Sequence, residues 1–157
     1  MNNQQLFSQY EWRNLQFALL DVFMMVSQID GKTGMDEAER EEFLNILKQP
    51  NFSKNSLLRE LLSTLATDYQ SIMKDYTPQY RFDPNYFENS FTRVKSIVDK
   101  KLDKGSAQSF KAALALQLGG AIANASGEGM PGLGQVEESE LLAITAIAKW
   151  LQTDLSK

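Results

Sequence analysis

The sequence contains neither cysteine nor histidine among its 157 residues. Without cysteine it can form no disulfide, no iron–sulfur cluster and no zinc site with thiolate ligands. Without histidine it lacks the commonest metal ligand and the usual general base near neutral pH. Any metal that it binds would therefore be a hard cation held by oxygen atoms, such as calcium, magnesium or manganese.

Long hydrophobic runs and an excess of positive charge are also missing. No stretch approaches the roughly 18 apolar residues of a membrane-spanning helix, and residues 1–13 lack the basic start and apolar core of a signal peptide. The net charge of −4 argues against a nucleic-acid-binding protein, since contacts to phosphate need clustered lysine and arginine. We expect a soluble cytoplasmic protein that is neither an integral membrane protein nor a nucleic-acid binder.

The apolar fraction of 43% is enough for a packed core in one domain over residues 1–157. Apolar residues recur at helical spacing in six segments, and no segment alternates as a strand does. The sequence therefore predicts an all-α, single compact domain of about six helices, with an extra turn allowed at the N-terminus and a turn and cap over residues 104–106. The predicted helices run from about Ser8 to Gln28, from Asp36 to before Pro50, from Ser53 or Asn55 to about Lys74, from Asp83 to about Leu102, from about Ala107 to Ala125, and from about Val136 to Leu155.

The first predicted helix is apolar on nearly all sides, which is typical of a helix at the centre of a domain. Asp21 is the only charged residue between Phe17 and Val26. At 1.5 Å per residue this helix would span roughly 30 Å, the width of a small domain. We therefore place it in the core.

Negative charge is concentrated in two segments at corresponding positions. The first acidic segment, residues 30–42, holds six acids against Lys32 and Arg40, a net charge of −4. The second acidic segment, residues 127–140, holds four acids and no base, again −4, so the rest of the chain carries +4. Each segment follows an apolar helix and leads into the next helix. The sequence thus indicates a weak pseudo-two-fold repeat, in which the first two helices correspond to the last two.

The run IDGKTGMDEAERE at residues 29–41 resembles the Asp-Gly-Lys…Glu-x-Glu signature of the TerB-like tellurite-resistance family, and the second half resembles its degenerate partner. The resemblance implies a helical domain with internal pseudo-symmetry, a link to tellurite and chemical stress, membrane-linked partners and metal binding through acids. Ser126 stands where the family's second aspartate is expected, and Glu128 is the candidate to replace it. The candidate metal ligands carried over in this way are Asp30, Asp36, Glu37, Glu39, Glu128, Glu137, Glu138 and Glu140.

The acidic residues also have an explanation that needs no ligand. Acids in the first turn of a helix interact favourably with its dipole, by about 0.3–1 kcal/mol each. A binding function is favoured if the two segments lie close together, because two clusters of −4 repel unless a cation or a basic partner neutralises them. The first segment is not an EF-hand, since Met35 occupies the sixth position, where glycine is required. Residues 31–33 and 127–132 imitate phosphate-binding loops by letter only, because no strand precedes either.

A group of aromatic residues around Pro78 and Pro84 also has two possible roles. They could line a groove for a peptide or small ligand, or pack a loop onto the core. The group consists of Tyr76, Tyr80, Phe82, Tyr86 and Phe87.

Taken together, the sequence predicts a non-enzymatic stress-response domain for binding or scaffolding, with no catalytic or cofactor-binding residues. Its acids would bind a divalent cation (calcium, magnesium or manganese) or the basic surface of a protein partner, including a membrane-associated one. Two alternatives remain open. One is a hydrolase whose carboxylates hold magnesium or manganese and activate water, and the other is a structural helical module without a ligand.

Overall fold

The computed structural model describes residues 3–28, 37–49, 52–76, 84–125 and 138–152. These ranges are helical and contain no strand, which confirms the predicted all-α class. A short 3₁₀ helix, Asn3–Leu6, provides the extra N-terminal turn. The remaining helices are α1 (Gln9–Gln28), α2 (Glu37–Leu47), α3 (Ser56–Thr67), α4 (Tyr69–Asp75), α5 (Pro84–Lys101), α6 (Lys104–Ala112), a π-helical segment (Ala113–Leu118), α7 (Gly119–Ala125) and α8 (Glu138–Leu151).

Helix α1 lies at the centre of the molecule, as predicted. Every side chain from Ala18 to Met25 is buried, and all of them except Asp21 are apolar. Trp12 and Leu15, nearer the start of the helix, are buried as well. Helix α1 packs against α2, α3, α5, α7, α8 and the π-helical segment, so neighbours surround it. None of the described helices is long and apolar enough to cross a membrane.

The predicted third helix is wrong in one respect, because it is two helices separated at Asp68. Asp68 leaves the helical conformation with φ −112° and ψ 23°; its backbone N–H donates to the Thr64 carbonyl at the end of α3, and α4 begins at the next residue. The apolar spacing continues through this point, so the break leaves no mark on the hydrophobic pattern. The bend directs α4 so that Tyr76, which follows it, reaches the core of the molecule.

The predicted fifth helix begins earlier than expected and contains a π-helical segment. Asp103, not Ser106, is the N-cap, because its Oδ1 accepts a hydrogen bond from the Ser106 amide at 2.8 Å. Gly105 therefore lies within the first turn instead of forming a separate turn. Both Ala113 and Gly119 keep right-handed helical dihedral angles, so α6, the π-helical segment and α7 form one continuous rod, residues 104–125.

Two contacts show that α1 and this rod run in the same direction. Lys101, just before the rod, lies with its Nζ 3.5 Å from Oε1 of Glu11 in the first turn of α1. Further along both helices, a Cβ placed on Gly119 would lie 3.7 Å from Cγ1 of Val22. We call the shared starting end the Lys101 end and the opposite end, where α1 finishes, the Gln28 end.

Helix α8 runs in the opposite direction. Its beginning lies near the Gln28 end, because Cγ1 of Ile144 would be 3.2 Å from a Cβ on Gly119. Its end lies near the Lys101 end, where the Gln108 side chain of α6 donates to the Gln152 carbonyl at 3.5 Å. The second helix of each predicted repeat unit packs against the other unit: α2 contacts α7, and α8 contacts α1. This exchange of contacts fits the predicted repeat.

Candidate functional site

The structure describes the surroundings of the predicted acidic site but not its ligands. Asp30, Asp36, Glu128 and Glu137 lie outside the described residues. Glu37 and Glu39 belong to the first turn of α2, and Glu138 and Glu140 to the first turn of α8, but the positions of these four side chains are also outside the described part. The prediction that these acids bind a cation or a basic partner therefore stays a prediction.

The helix ends that flank the two acidic segments are described, and three of them lie together at the Gln28 end. Gly119 lies next to Val22 of α1 and Ile144 of α8, where a Cβ would touch both side chains, so the three helices meet at this point. From there α1 continues to Gln28, α7 to Ala125 and α8 back to its first residue, each over about 9 Å of helix. Both acidic segments thus leave the helical bundle from the same end.

Among the side chains that the structure describes, no three acidic ones come close enough together to hold a metal ion. Two groups of polar side chains there contain a buried residue that can carry a charge, Asp21 in one and Lys111 in the other. The buried polar side chains among those that the structure describes are Asn14, Gln16, Asp21, Ser53, Ser90 and Lys111.

The first group surrounds Asp21, whose side chain is completely buried in the middle of α1. The Tyr76 hydroxyl donates a hydrogen bond to its Oδ1 at 2.6 Å, and the Ser90 hydroxyl donates to its Oδ2 at 2.5 Å. The hydroxyl of Tyr86 is a third hydrogen-bonding group close to the carboxyl. These residues come from α1, the end of α4, and α5, so one carboxyl links three helices.

Burial raises the pKa of Asp21 from its ordinary value of 3.8 to about 7. The hydrogen bonds from Ser90, Tyr76 and Tyr86 and the charge of Arg93 act in the opposite direction but do not outweigh the loss of solvent. Burial and the neighbouring Asp21 carboxyl likewise raise the pKa of both tyrosines, so they remain protonated near neutral pH.

Arg93 acts on Asp21 through its charge, but its Nη1 donates to the Asn14 side chain at 3.2 Å. Asn14 in turn donates to the Tyr10 carbonyl, and Gln16 donates to the Thr64 hydroxyl. The buried amide side chains of α1 are thus paired with groups from its own preceding turn, α3 and α5.

The geometry of the Asp21 group fits a structural role better than a catalytic one. A carboxyl with a raised pKa is a common property of general acids. A catalytic acid must also reach a substrate, whereas Asp21 has no exposed surface. Tyr76 and Phe87 from the predicted aromatic group are buried and Tyr86 is half-buried, so these three pack onto the core; Tyr80 and Phe82 lie outside the described residues.

The second group lies at the Lys101 end. The Lys111 side chain is only 2% exposed, and its Nζ lies 2.7 Å from Oδ1 of Asp99. Lys95 pairs with the other oxygen of Asp99 at 3.0 Å. Burial acts to raise the pKa of Asp99, but hydrogen bonds and charge from the two lysines outweigh it, so the pKa lies below its ordinary value.

Two surface grooves between described residues are large enough for a small ligand. One, of about 900 Å³, lies between the start of α3, the start of α6 and the π-helical segment, and its polar lining includes Asn55, Ser56, Ser106 and Gln117. The other, of about 750 Å³, lies between the end of α2 and α3. Asp21 lines neither groove, and the described lining of each contains a single acid, Asp103 in the first and Glu60 in the second.

The Asp21 group was not predicted from the sequence. The signal was present, because a single charge on an otherwise apolar central helix needs buried partners. The partners themselves, Tyr76 and Ser90, lie far away in sequence and had no pattern that pointed to Asp21.

Comparison with known proteins adds no family assignment: no family model, no curated protein and no solved structure matches this chain. The TerB-like resemblance of residues 29–41 therefore stays a prediction.

Proposed function

We propose that this chain is a non-enzymatic binding or scaffold domain of the tellurite-resistance type. Its two acidic segments would act together at the Gln28 end and bind either a divalent cation or the basic surface of a protein partner. The cytoplasm is the compartment that we propose for it.

The observation that carries this proposal is the shared direction of α1 and the rod of residues 104–125. Lys101, three residues before the rod begins, pairs with Glu11 near the start of α1, and Gly119, further along the rod, lies next to Val22, further along α1. The two segments, each with a net charge of −4, therefore start from the same end of the bundle. Had the helices been antiparallel, the segments would have started about 30 Å apart, the length of α1.

Two negative segments at one end repel each other, and this repulsion supports a role for a positive ligand. A divalent cation would reduce it at short range, and a row of lysine or arginine on a partner would do so over a larger surface. Oxygen ligands alone favour calcium, magnesium or manganese over softer metals.

Titration calorimetry with calcium, magnesium, manganese and zinc tests the cation form of the proposal. We expect saturable heat with at least one of the first three ions for the wild type and its loss in Asp30→Ala/Glu37→Ala. Glu88→Ala, which removes an exposed acid of α5, is the matched control and should bind as the wild type does.

Calorimetric titration of the same variants with a hexalysine peptide, at low and at high salt, tests whether the acids bind the basic surface of a protein partner. Binding that is lost in Asp30→Ala/Glu37→Ala but kept in Glu88→Ala supports a basic partner surface. Flat titrations with all four ions and with the peptide would remove the proposed function and leave a helical module without a ligand.

A further inference from the structure

The Asp21 group joins helices that are distant in sequence through one buried carboxyl. Tyr76 at the end of α4 and Ser90 on α5 each donate to a different oxygen of Asp21, at 2.6 and 2.5 Å. The carboxyl is completely buried, and Tyr76 is 1% exposed and Ser90 4% exposed. Bulk solvent therefore does not reach these bonds, and the carboxyl depends on its hydroxyl neighbours.

These neighbours can accommodate the carboxyl in either protonation state. A hydroxyl donates to a carboxylate, and after a rotation of its hydrogen it can accept from a carboxylic acid instead. Ser90 can then direct its own hydrogen to the carbonyl one turn earlier in α5, as helical serines do. Backbone amides, which only donate, would not allow this exchange. The closed arrangement can therefore exist with Asp21 protonated or ionised, and the two forms differ in stability.

The charged groups around Asp21 favour its ionised form too weakly to keep the carboxyl ionised at low pH. Tyr76, Tyr86 and Arg93 are the titratable or charged groups of α4 and α5 that bear on it. The described residues of α2, α3, α7 and α8 supply no buried charged side chain, and Lys111 of α6 pairs with Asp99 instead. An ionised Asp21 is thus a buried charge without an ion-pair partner among the described residues, which is unfavourable.

We propose that Asp21, Tyr76 and Ser90 form a pH-sensitive clamp, which holds α4 and α5 to α1 most tightly when the Asp21 carboxyl carries a proton. Loss of the proton places an unpaired charge in the core and favours opening of the contacts among these three helices. Acidification towards pH 5 therefore tightens the clamp, and a rise to neutral pH loosens it.

The direction follows from linkage. The pKa of Asp21 is about 7 in the folded chain and 3.8 ordinarily, so between these values the folded state holds a proton that the open or unfolded state has lost. Its contribution to stability is fully present below about pH 4 and disappears as the pH rises to about 7. Over most of that range, the ratio of closed to open molecules falls about tenfold per pH unit from this group alone.

Urea denaturation from pH 5 to 8.5 tests the clamp in the wild type and in Asp21→Asn, which has a similar shape and cannot ionise. The quantity to compare is the ratio of the folding equilibrium constant of the wild type to that of Asp21→Asn. We expect this ratio to fall close to tenfold per pH unit from about pH 5 to 6.5 and to become constant near pH 8. A ratio that stays constant over the whole range would overturn the proposal. Hydrogen exchange, corrected for the intrinsic effect of pH, should show the same dependence in residues 69–76 and 84–101.

A second measurement applies even if Asp21→Asn fails to fold. In wild-type protein labelled with ¹³C at aspartate carboxyls, we expect one carboxyl to titrate far above the others, with a midpoint near pH 7. Tyr76→Phe should move that midpoint upward, because it removes a hydrogen bond that favours the charged form. If every aspartate titrates below about pH 5, Asp21 is ionised at all relevant pH values and the clamp is excluded.

Discussion

Gly119 lies against Val22 at the point where α1, the rod of residues 104–125 and α8 meet. A Cβ on Gly119 would be 3.7 Å from Cγ1 of Val22 and 3.2 Å from Cγ1 of Ile144. The second of these distances is shorter than an ordinary contact between carbon atoms, which lies at about 3.5–4.0 Å. The absence of a side chain here allows three central helices to approach closely, and this approach sets the positions of their ends.

Replacing the two adjacent glycines separates this packing effect from helix propensity. Alanine favours a helix over glycine by about 0.8–1 kcal/mol. A Cβ on Gly120 would meet nothing within 4 Å, so Gly120→Ala should raise the free energy of unfolding by up to about 1 kcal/mol. Gly119→Ala should raise the free energy of unfolding by less than Gly120→Ala does, because Ile144 must move. Gly119→Val should lower the free energy of unfolding by about 1–3 kcal/mol through overpacking. Urea denaturation measures all three, and equal effects of alanine at both positions would contradict the close approach.

The Lys111–Asp99 pair should respond unequally to removal of its two partners. Asp99→Asn leaves the Lys111 ammonium, 2% exposed, without a charged partner, and we expect a cost of about 1–3 kcal/mol. Lys111→Met keeps the buried stem and removes the charge, while Asp99 keeps Lys95 and is 36% exposed, so the cost should be smaller. Thermal or urea unfolding at low salt gives both values. A larger loss for Lys111→Met would show that the pair stabilises the fold mainly through Asp99.

The π-helical segment is joined to the start of α3 by one side-chain hydrogen bond. The Ser53 hydroxyl donates to Oε1 of Gln117 at 2.6 Å and accepts from the backbone N–H of Asn55 at 3.0 Å. A double-mutant cycle with Ser53→Ala and Gln117→Ala should give a coupling energy of about 0.5–1.5 kcal/mol. Asn55→Ala, which removes the cap of α3, should cost about 1 kcal/mol. A coupling energy of zero for Ser53 and Gln117 would mean that water replaces this bond at no cost.

Much of the fold could be predicted from the sequence because it depends on local periodicity. The apolar surface of α1 and the spacing of Phe87, Phe91, Val94 and Val98 identify helices and their buried faces correctly. The break at Asp68 could not be predicted, because the apolar spacing does not change there. The cap at Asp103 was missed because Gly105 suggested a turn, whereas the Asp103 carboxylate accepts hydrogen bonds from the Ser106 amide and hydroxyl and so begins the helix before the glycine. The π-helical segment has no established signature in sequence.

The candidate sites differ in how much the sequence reveals. Charge can be counted from the sequence, so the two acidic segments were identified without a structure. The internal repeat suggested that the two segments lie together, but the relative direction of α1 and α7 depends on most of the chain between them, so only the structure shows that both helices finish at the Gln28 end. The Asp21 group was missed for the same reason, since Tyr76 and Ser90 reach it only through the tertiary arrangement of α4 and α5.

The arrangement that supports the proposed function can be tested by distances, since the chain has no cysteine and introduced cysteines are labelled uniquely. Lys104, Leu142 and Lys149 are exposed, and the last two lie on one face of α8 because seven residues are nearly two turns. If α8 starts at the Gln28 end, Leu142 lies about 10 Å further from the Lys101 end than Lys149 does. Nitroxide labels should therefore be clearly further apart in Lys104→Cys/Leu142→Cys than in Lys104→Cys/Lys149→Cys, as measured by pulsed electron paramagnetic resonance.

Circular dichroism confirms that both variants keep the helical fold. Equal or reversed distances would place the start of α8, and with it the end of the second acidic segment, away from the Gln28 end, so that only the beginnings of the two segments would lie at the same end.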